Sequence, residues 1–380
     1  MKKALQLASV ASMIDQFNIP NIKLLRSIGY KVDVVADFTN PGNISIERAR
    51  ELIKQLESMD VRVIDIAVPR SLDPKTVISA YRRVRELVTT EHYNLIHCHS
   101  PIGGAIVRLA AKNERKKGTK VIYTAHGFHF YNGAPLKNWI LFYPVEKWLS
   151  RYTDILITIN QEDYKRASGK FYAKKIIYVP GIGVDTEKFG LHANGSNIRK
   201  ELGIKCDDIM FLSVGEFNTN KNHEVVIRAM TQLEQKLYYI IVGKGNKENE
   251  LKQLIIQLKL QDRVKLVGFR NDIADIYNAA DVFIFPSFRE GLSVSLMEAM
   301  ASGLPVVCSR IRGNIDLIDE KGGIFFNPSN VESVADSIHK ILKSNLLELG
   351  KHNFEKIKSF DLKIVEKSIS EAYGVRVSKN

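Results

Sequence analysis

The chain has 380 residues, of which 45% are hydrophobic and 26% charged, and a formal net charge of +13. Its length exceeds what a single core usually serves, and its composition excludes a disordered chain and a fibre. The densest apolar run, residues 139–145, contains Pro144 and falls far below the roughly 18 residues a membrane-spanning helix needs.

The charge is divided unevenly. Residues 1–184 hold 28 Lys and Arg against 16 Asp and Glu, and residues 185–380 hold 27 against 26, so nearly all the excess lies in the first half. It is densest at Arg82, Arg83 and Arg85 and again at Arg115, Lys116, Lys117 and Lys120. Such a field attracts nucleic acid, phosphorylated substrates or an anionic membrane face, and each cluster also reads as a solvated basic surface. Three cysteines without paired spacing, Cys98, Cys206 and Cys308, suit a reducing, cytoplasmic setting better than a disulfide framework or a zinc site.

In chain order, the first 18 residues resemble a leader, with two lysines before small and apolar residues. Gln6 breaks the apolar part and Asp15 stops it, so the segment reads as a first buried strand. Near-continuous apolar runs follow at residues 32–36, 61–68, 94–98, 121–125 and 155–159, as expected of parallel strands covered on both faces. Amphipathic stretches at 45–59 and 73–88, each opened by a capping residue, predict intervening helices. One proline and three glycines at 178–190 mark a linker. The alternation then restarts, with strands at 209–215, 237–243, 264–268, 282–285 and 305–308. The expected fold class is α/β, two Rossmann-like, doubly wound domains facing a cleft. They comprise residues 1–184 and 185–359, with a C-terminal helical segment, 360–380, crossing back to the first domain.

Ligands of such sheets collect beyond the carboxyl ends of the strands. There the sequence runs from Pro286 and Ser287 through Glu290, Gly291, Leu292 and Ser293 to Glu298. Gly291 lets a ligand approach the backbone, and a helix starting near Ser293 offers free N–H groups to an anion. Two carboxylates at this spacing serve either end of one extended polar ligand, or else Glu290 caps the helix and Glu298 is a buried structural acid. His126 follows the strand at 121–125 in a loop crowded with Phe128, His129, Phe130 and Tyr131, which reads as a ligand wall or as packing at the domain edge. His97 and His99 share one strand face, but no third or fourth ligand follows at short spacing to make a metal site. The chain carries no P-loop, no Gly-x-Gly-x-x-Gly and no Asp-x-Asp.

The glutamate pair between Pro286-Ser287 and the continuation Ala299-Met300-Ala301-Ser302-Gly303-Leu304-Pro305 resembles the family 4 glycosyltransferases, retaining enzymes of the two-domain GT-B type that use nucleotide sugars. Lesser matches lie at 96–104, 124–130 and 179–189, and the general look is of capsular or exopolysaccharide biosynthesis. The resemblance implies that Glu290 contacts the donor sugar beside the reacting carbon and that Glu298 holds the ribose hydroxyls. Gly291, Leu292 and Ser293 would supply backbone contacts near the sugar and phosphate, Lys221 would pair with the diphosphate, and His126 would approach the sugar from the first domain. Where the family usually has an arginine, this chain has Glu216, so either Arg270 or Arg289 supplies the second cation or Glu216 points away, and Lys221 with the helix start near Ser293 is expected to hold most of the diphosphate. The resemblance further implies a UDP-sugar donor and no cofactor, and the missing Asp-x-Asp, the usual metal–diphosphate device, points to a reaction without metal. It also implies a lipid-linked saccharide acceptor reached by peripheral contact with the anionic inner membrane face, and no nucleic-acid partner. The rival readings are an epimerase or phosphorolytic enzyme on the same fold, which would need no acceptor, and a non-catalytic basic binding protein, which would leave Glu290, Glu298 and Lys221 without a role.

Overall fold

The structure, a computed structural model, describes residues 1–69, 73–190 and 195–375. Contacts divide the chain into two units, Met1–Pro180 together with the chain from Val365 onward, and Gly181–Ile364.

Among the described residues unit 1 has seven strands and unit 2 six; those of unit 1 are β1 Lys2–Val10, β2 Tyr30–Asp37, β3 Arg62–Asp65, β4 Leu95–His99, β5 Lys120–Ala125, β6 Ile155–Thr158 and β7 Lys175–Tyr178. All pair in parallel in the order β3-β2-β1-β4-β5-β6-β7. Strand alternation gives the sheet two buried faces, Leu5, Leu7, Ile96 and Cys98 on one and Ala4, Ala8, Leu95 and Ile122 on the other. The helices start where capping chemistry allows. Ser45 accepts from Arg48 N–H at 3.1 Å and opens the helix Ile46–Ser58, and Asp73 accepts from Thr76 N–H at 2.9 Å and opens Pro74–Glu91. Strand β3 is shorter than its apolar run, its last backbone bond to the neighbouring strand being from Ile66 N–H to the Ala36 carbonyl at 3.1 Å. Strand β7 ends where the linker begins, at Tyr178: it is a short, half-covered edge strand that opens on Lys175, so no apolar run announces it.

The strands of unit 2 are β8 Ile209–Val214, β9 Leu237–Val242, β10 Val264–Gly268, β11 Val282–Phe285, β12 Val306–Ser309 and β13 Gly323–Phe326. They are parallel in the order β10-β9-β8-β11-β12-β13. Edge strand β13 is only four residues long and starts on the second glycine of the Gly322-Gly323 pair, which hides it from periodicity.

The unit boundary falls at Gly181 rather than after residue 184 because Val184 bridges Asp361 and accepts from Leu362 N–H at 3.1 Å, both inside unit 2. The last helix, Leu362–Tyr373, starts at that bridge, and its residues Val365, Ile369, Ala372 and Tyr373 are buried in the core of unit 1. Among the described residues no helix is long and apolar enough to cross a membrane.

Candidate active site

Each sheet reverses its strand order once, between β1 and β4 in unit 1 and between β8 and β11 in unit 2. Loops at such a reversal diverge and leave a crevice, which is where open α/β sheets bind ligands.

In unit 2 the diverging loops carry Lys221 and Glu290. The Lys221 ammonium lies 2.8 Å from Glu290 Oε1 and 4.7 Å from the centre of the Phe285 ring, with both partners of the pair largely covered. The loops are stitched together below them: Phe288 N–H donates to the Asn220 carbonyl at 2.8 Å, and Asn220 Nδ2 donates to the Arg289 carbonyl at 2.9 Å. Ser293 caps the helix Val294–Ala301, its hydroxyl accepting from Leu296 N–H at 3.4 Å. Gly291 is packed under Gly313, whose φ of +80° excludes most side chains and where a Cβ would stand 2.5 Å from the Gly291 carbonyl oxygen. Gly245 has the same duty, since a Cβ there would stand 2.3 Å from the Phe217 carbonyl oxygen in the loop that leads to Lys221.

Glu298 lies in that capped helix. Burial pushes its carboxyl up to about 7, against the Tyr277 hydroxyl, which donates to Oε2 at 3.0 Å, and against Lys188, both of which favour the ionised form. Arg270 donates to two carboxylates, Glu201 (Nη2 to Oε2, 3.0 Å) and Asp272 (Nη2 to Oδ2, 2.6 Å), so it would have to abandon both to meet a diphosphate. The side chains of Glu216 and Arg289 are exposed.

In unit 1 the crevice holds a cavity of about 500 Å³, lined by Ser9, Ser12, Phe17, Ser100, His129 and Phe142 among others. The Ser9 and Ser100 hydroxyls meet at 2.7 Å across the strand reversal. Ser100 adopts φ 64°, ψ 150°, a conformation costly for any residue with a Cβ, at the start of the helix Pro101–Ala110. His126 packs on the Phe17 ring at 5.7 Å.

Behind His126 runs a buried polar chain. His126 Nε2 is 3.1 Å from His99 Nδ1, and His99 Nε2 is 3.2 Å from Gln6 Oε1. Gln6 Nε2 donates to the Tyr373 hydroxyl at 3.0 Å, and that hydroxyl lies 2.8 Å from His97 Nδ1. His97 Nε2 reaches Thr124 Oγ1 at 2.8 Å. Register brings these residues together, since Gln6 pairs with His97 and His99 with Thr124. Burial holds His97 down at about 3, His126 at about 4 and His99 well below its ordinary value, so all three rings are neutral at pH 7. In a chain of neutral rings each proton fixes the next. With Gln6 Oε1 toward His99, the proton sits on His99 Nε2, Nδ1 accepts from His126, and His126 Nδ1 is left as an acceptor. Turning the Gln6 amide over would reverse every proton along the chain. His97 and His99 thus share one strand face, as their spacing predicts, and their nitrogens serve this network.

Sequence reasoning missed Gln6, Tyr277 and Tyr373 as site residues. Gln6 did leave a signal, being the polar residue that breaks the first apolar strand. Of the aromatic loop, Phe128 and Phe130 stack at 4.8 Å and are core, whereas His129 turns to the cavity and lies 4.6 Å from the Phe142 ring. The second basic cluster is largely structural: Arg115 pairs with Asp154, Lys117 with Glu114, and Lys120 donates to the Ala372 carbonyl.

Residues 22–188 match the family model described as Glycosyltransferase Family 4, and residues 195–357 match Glycosyl transferases group 1. The putative glycosyltransferase EpsD of Bacillus subtilis is 36% identical over 348 residues, 90% of this chain and 87% of that protein. The chain belongs to the family 4 glycosyltransferases. This glycosyltransferase is also 31% identical, over 74% of its length and 73% of the relative, to an Escherichia coli protein named UDP-Gal:alpha-D-GlcNAc-diphosphoundecaprenol alpha-1,3-galactosyltransferase. Its fold is that of Anabaena HepE, solved in complex with UDP, at a TM-score of 0.76 and 20% identity over 98% of this chain and 99% of that one. The lipopolysaccharide glycosyltransferase WaaG superposes at a TM-score of 0.69 and 16% identity, over 98% of this chain and 100% of that one. Two Rossmann-like units of the GT-B type are therefore the architecture of this enzyme.

Proposed function

We propose that this glycosyltransferase moves a sugar from a UDP-sugar to a lipid-linked saccharide, with retention of configuration, in capsule or exopolysaccharide synthesis. The observation that carries the reading is the pairing of Lys221 with Glu290 at the strand reversal of unit 2, with Glu298 in the next helix. The Lys221 ammonium offers the diphosphate a cation where leaving-group charge grows. As it turns to the phosphate, Glu290 is left as an uncompensated anion, suited to stabilising an oxocarbenium-like transition state. Glu298 accepts from the ribose hydroxyls, Gly291, Leu292 and Ser293 contribute backbone contacts, and His126 is assigned to the donor sugar. Arg270 is at most a second cation, available only if it leaves Glu201 and Asp272. No metal is required, because Lys221 and the capped helix supply the charge that an Asp-x-Asp site would supply through an ion. The acceptor side is unit 1, and the E. coli relative named for a diphosphoundecaprenol acceptor supports a lipid-borne one. The enzyme works in the cytoplasm, peripherally at the anionic inner membrane face, without nucleic acid.

The test is a panel of UDP-sugars incubated with a diphosphoundecaprenyl saccharide, the product linkage being read by NMR. Transfer with an unchanged anomeric configuration is expected, and Glu290→Gln should cut turnover by about a hundredfold or more with UDP affinity held. Sugar release without an acceptor, or full activity in Glu290→Gln, contradicts the reading.

A further inference from the structure

The helix Leu136–Leu149 carries large apolar side chains on every face, between Lys137, Asn138, Glu146 and Lys147, a pattern closer to a covered helix than to a surface one. Only one side is covered. Glu146 and Leu149 are buried, Trp139, Phe142 and Tyr143 pack on the unit 1 core, and Phe142 lines the 500 Å³ cavity. On the other side Leu136 is 74% exposed, Ile140 64%, Leu141 58%, Val145 49% and Trp148 46%. At helical spacing these residues form one outward ridge.

The rim of the ridge is basic and aromatic. Lys137 lies in the ridge itself, Arg151 stacks over the Tyr172 ring at 4.5 Å with Lys147 at 5.4 Å, and Lys112 lies 5.1 Å from the Tyr152 ring, which itself meets Trp148 edge-on at 5.4 Å. The only acid of the helix, Glu146, is turned inward to Arg108 at 2.9 Å. We propose that this ridge docks the enzyme on an anionic lipid surface, its apolar side chains entering the headgroup boundary and its Lys and Arg rim meeting lipid phosphates. Trp and Tyr beside cations suit that boundary, which is apolar on one side and wet on the other. A second copy of the chain fits worse, because a two-fold contact would set the cationic rim against itself. The proposal rests on the reading of a lipid-borne acceptor for its choice of occupant. The same helix then carries the lipid surface on one face and a wall of the unit 1 cavity on the other.

The experiment uses the full chain with vesicles of phosphatidylcholine alone or with one-quarter phosphatidylglycerol, read by sedimentation and by tryptophan emission. The chain has two tryptophans, Trp139 and Trp148. Binding to the anionic vesicles with a blue shift that disappears in Trp148→Phe is expected. Leu141→Glu and Ile140→Glu should each weaken partitioning by about tenfold or more while leaving UDP affinity unchanged. Arg151→Glu should weaken binding to the anionic vesicles alone. Equal sedimentation of Leu141→Glu and wild type overturns the proposal, as does failure to bind either vesicle. So does a concentration-dependent dimer that Leu141→Glu dissolves, which would identify a second copy as the cover. Because UDP titration reads unit 2 alone, failure of the lipid proposal and failure of the glycosyltransferase reading give different results.

Discussion

Among single residues, Glu298 and Gln6 carry the sharpest consequences. With the Glu298 carboxyl held up at about 7 by burial, its ionised form, the better acceptor for ribose hydroxyls, gains population as pH rises through that value. Affinity for a UDP-sugar, whose diphosphate does not titrate in this range, should rise between pH 6 and pH 8 by up to about tenfold. Glu298→Gln should bind more weakly and lose the slope, and an undiminished slope in that variant would remove Glu298 from the nucleotide site. Gln6 acts at a distance, through His99, on the proton of His126. Gln6→Leu should shift the ¹⁵N resonances of His126 and lower kcat by up to about a hundredfold, with UDP affinity unchanged. Unaltered His126 resonances would reduce Gln6 to a packing residue. Glu290 and Glu298 were legible in the sequence because they share one strand–loop–helix segment, whereas Lys221, which meets Glu290 across 69 residues, was legible only through the family resemblance. Tyr277 and Tyr373 were not, because they reach their partners from elements remote in sequence, Tyr373 across 276 residues from His97.

At the level of elements, the central strands announced themselves, as did edge strands β3 and β10, but edge strands β7 and β13 did not. Strands β1, β4, β8 and β11 are covered on both faces and therefore read as apolar runs, whereas β7 and β13 have one open edge and partly exposed side chains. The helix Leu136–Leu149 held the densest apolar run of the chain, yet sequence alone could not say which face lay open. Its inner face is fixed by Arg108, which donates to Glu146 at 2.9 Å and lies 4.0 Å from the Tyr123 ring centre, with its Nε on the Gly104 carbonyl. Both charged groups are buried, so Glu146→Gln leaves the Arg108 guanidinium without its counter-charge and should destabilise the protein by about 3–5 kcal/mol in urea unfolding. An unfolding midpoint equal to that of the wild type would show that water reaches the pair.

Taken as a whole molecule, the chain repeats one architecture with two uses. Unit 2 sets a lysine and two carboxylates around its strand reversal, and unit 1 sets a cavity, a histidine relay and an apolar helix around its own. The excess positive charge of the first half reads differently once placed: part of it is spent on internal carboxylates, and part rims the exposed ridge. The strands and the repetition of the unit follow from the apolar runs and the amphipathic stretches between them, while the division at Gly181 and Ile364 depends on the Val184–Asp361 bridge, a contact that no local pattern reveals. The claim on which the rest depends is that unit 2 is a nucleotide diphosphate site centred on Lys221. Calorimetric titration with UDP, GDP and ADP in EDTA tests it directly. Micromolar UDP binding that survives EDTA and weakens about tenfold or more in Lys221→Ala is the predicted result, and absence of binding to any of the three, or equal binding by Lys221→Ala, would contradict it.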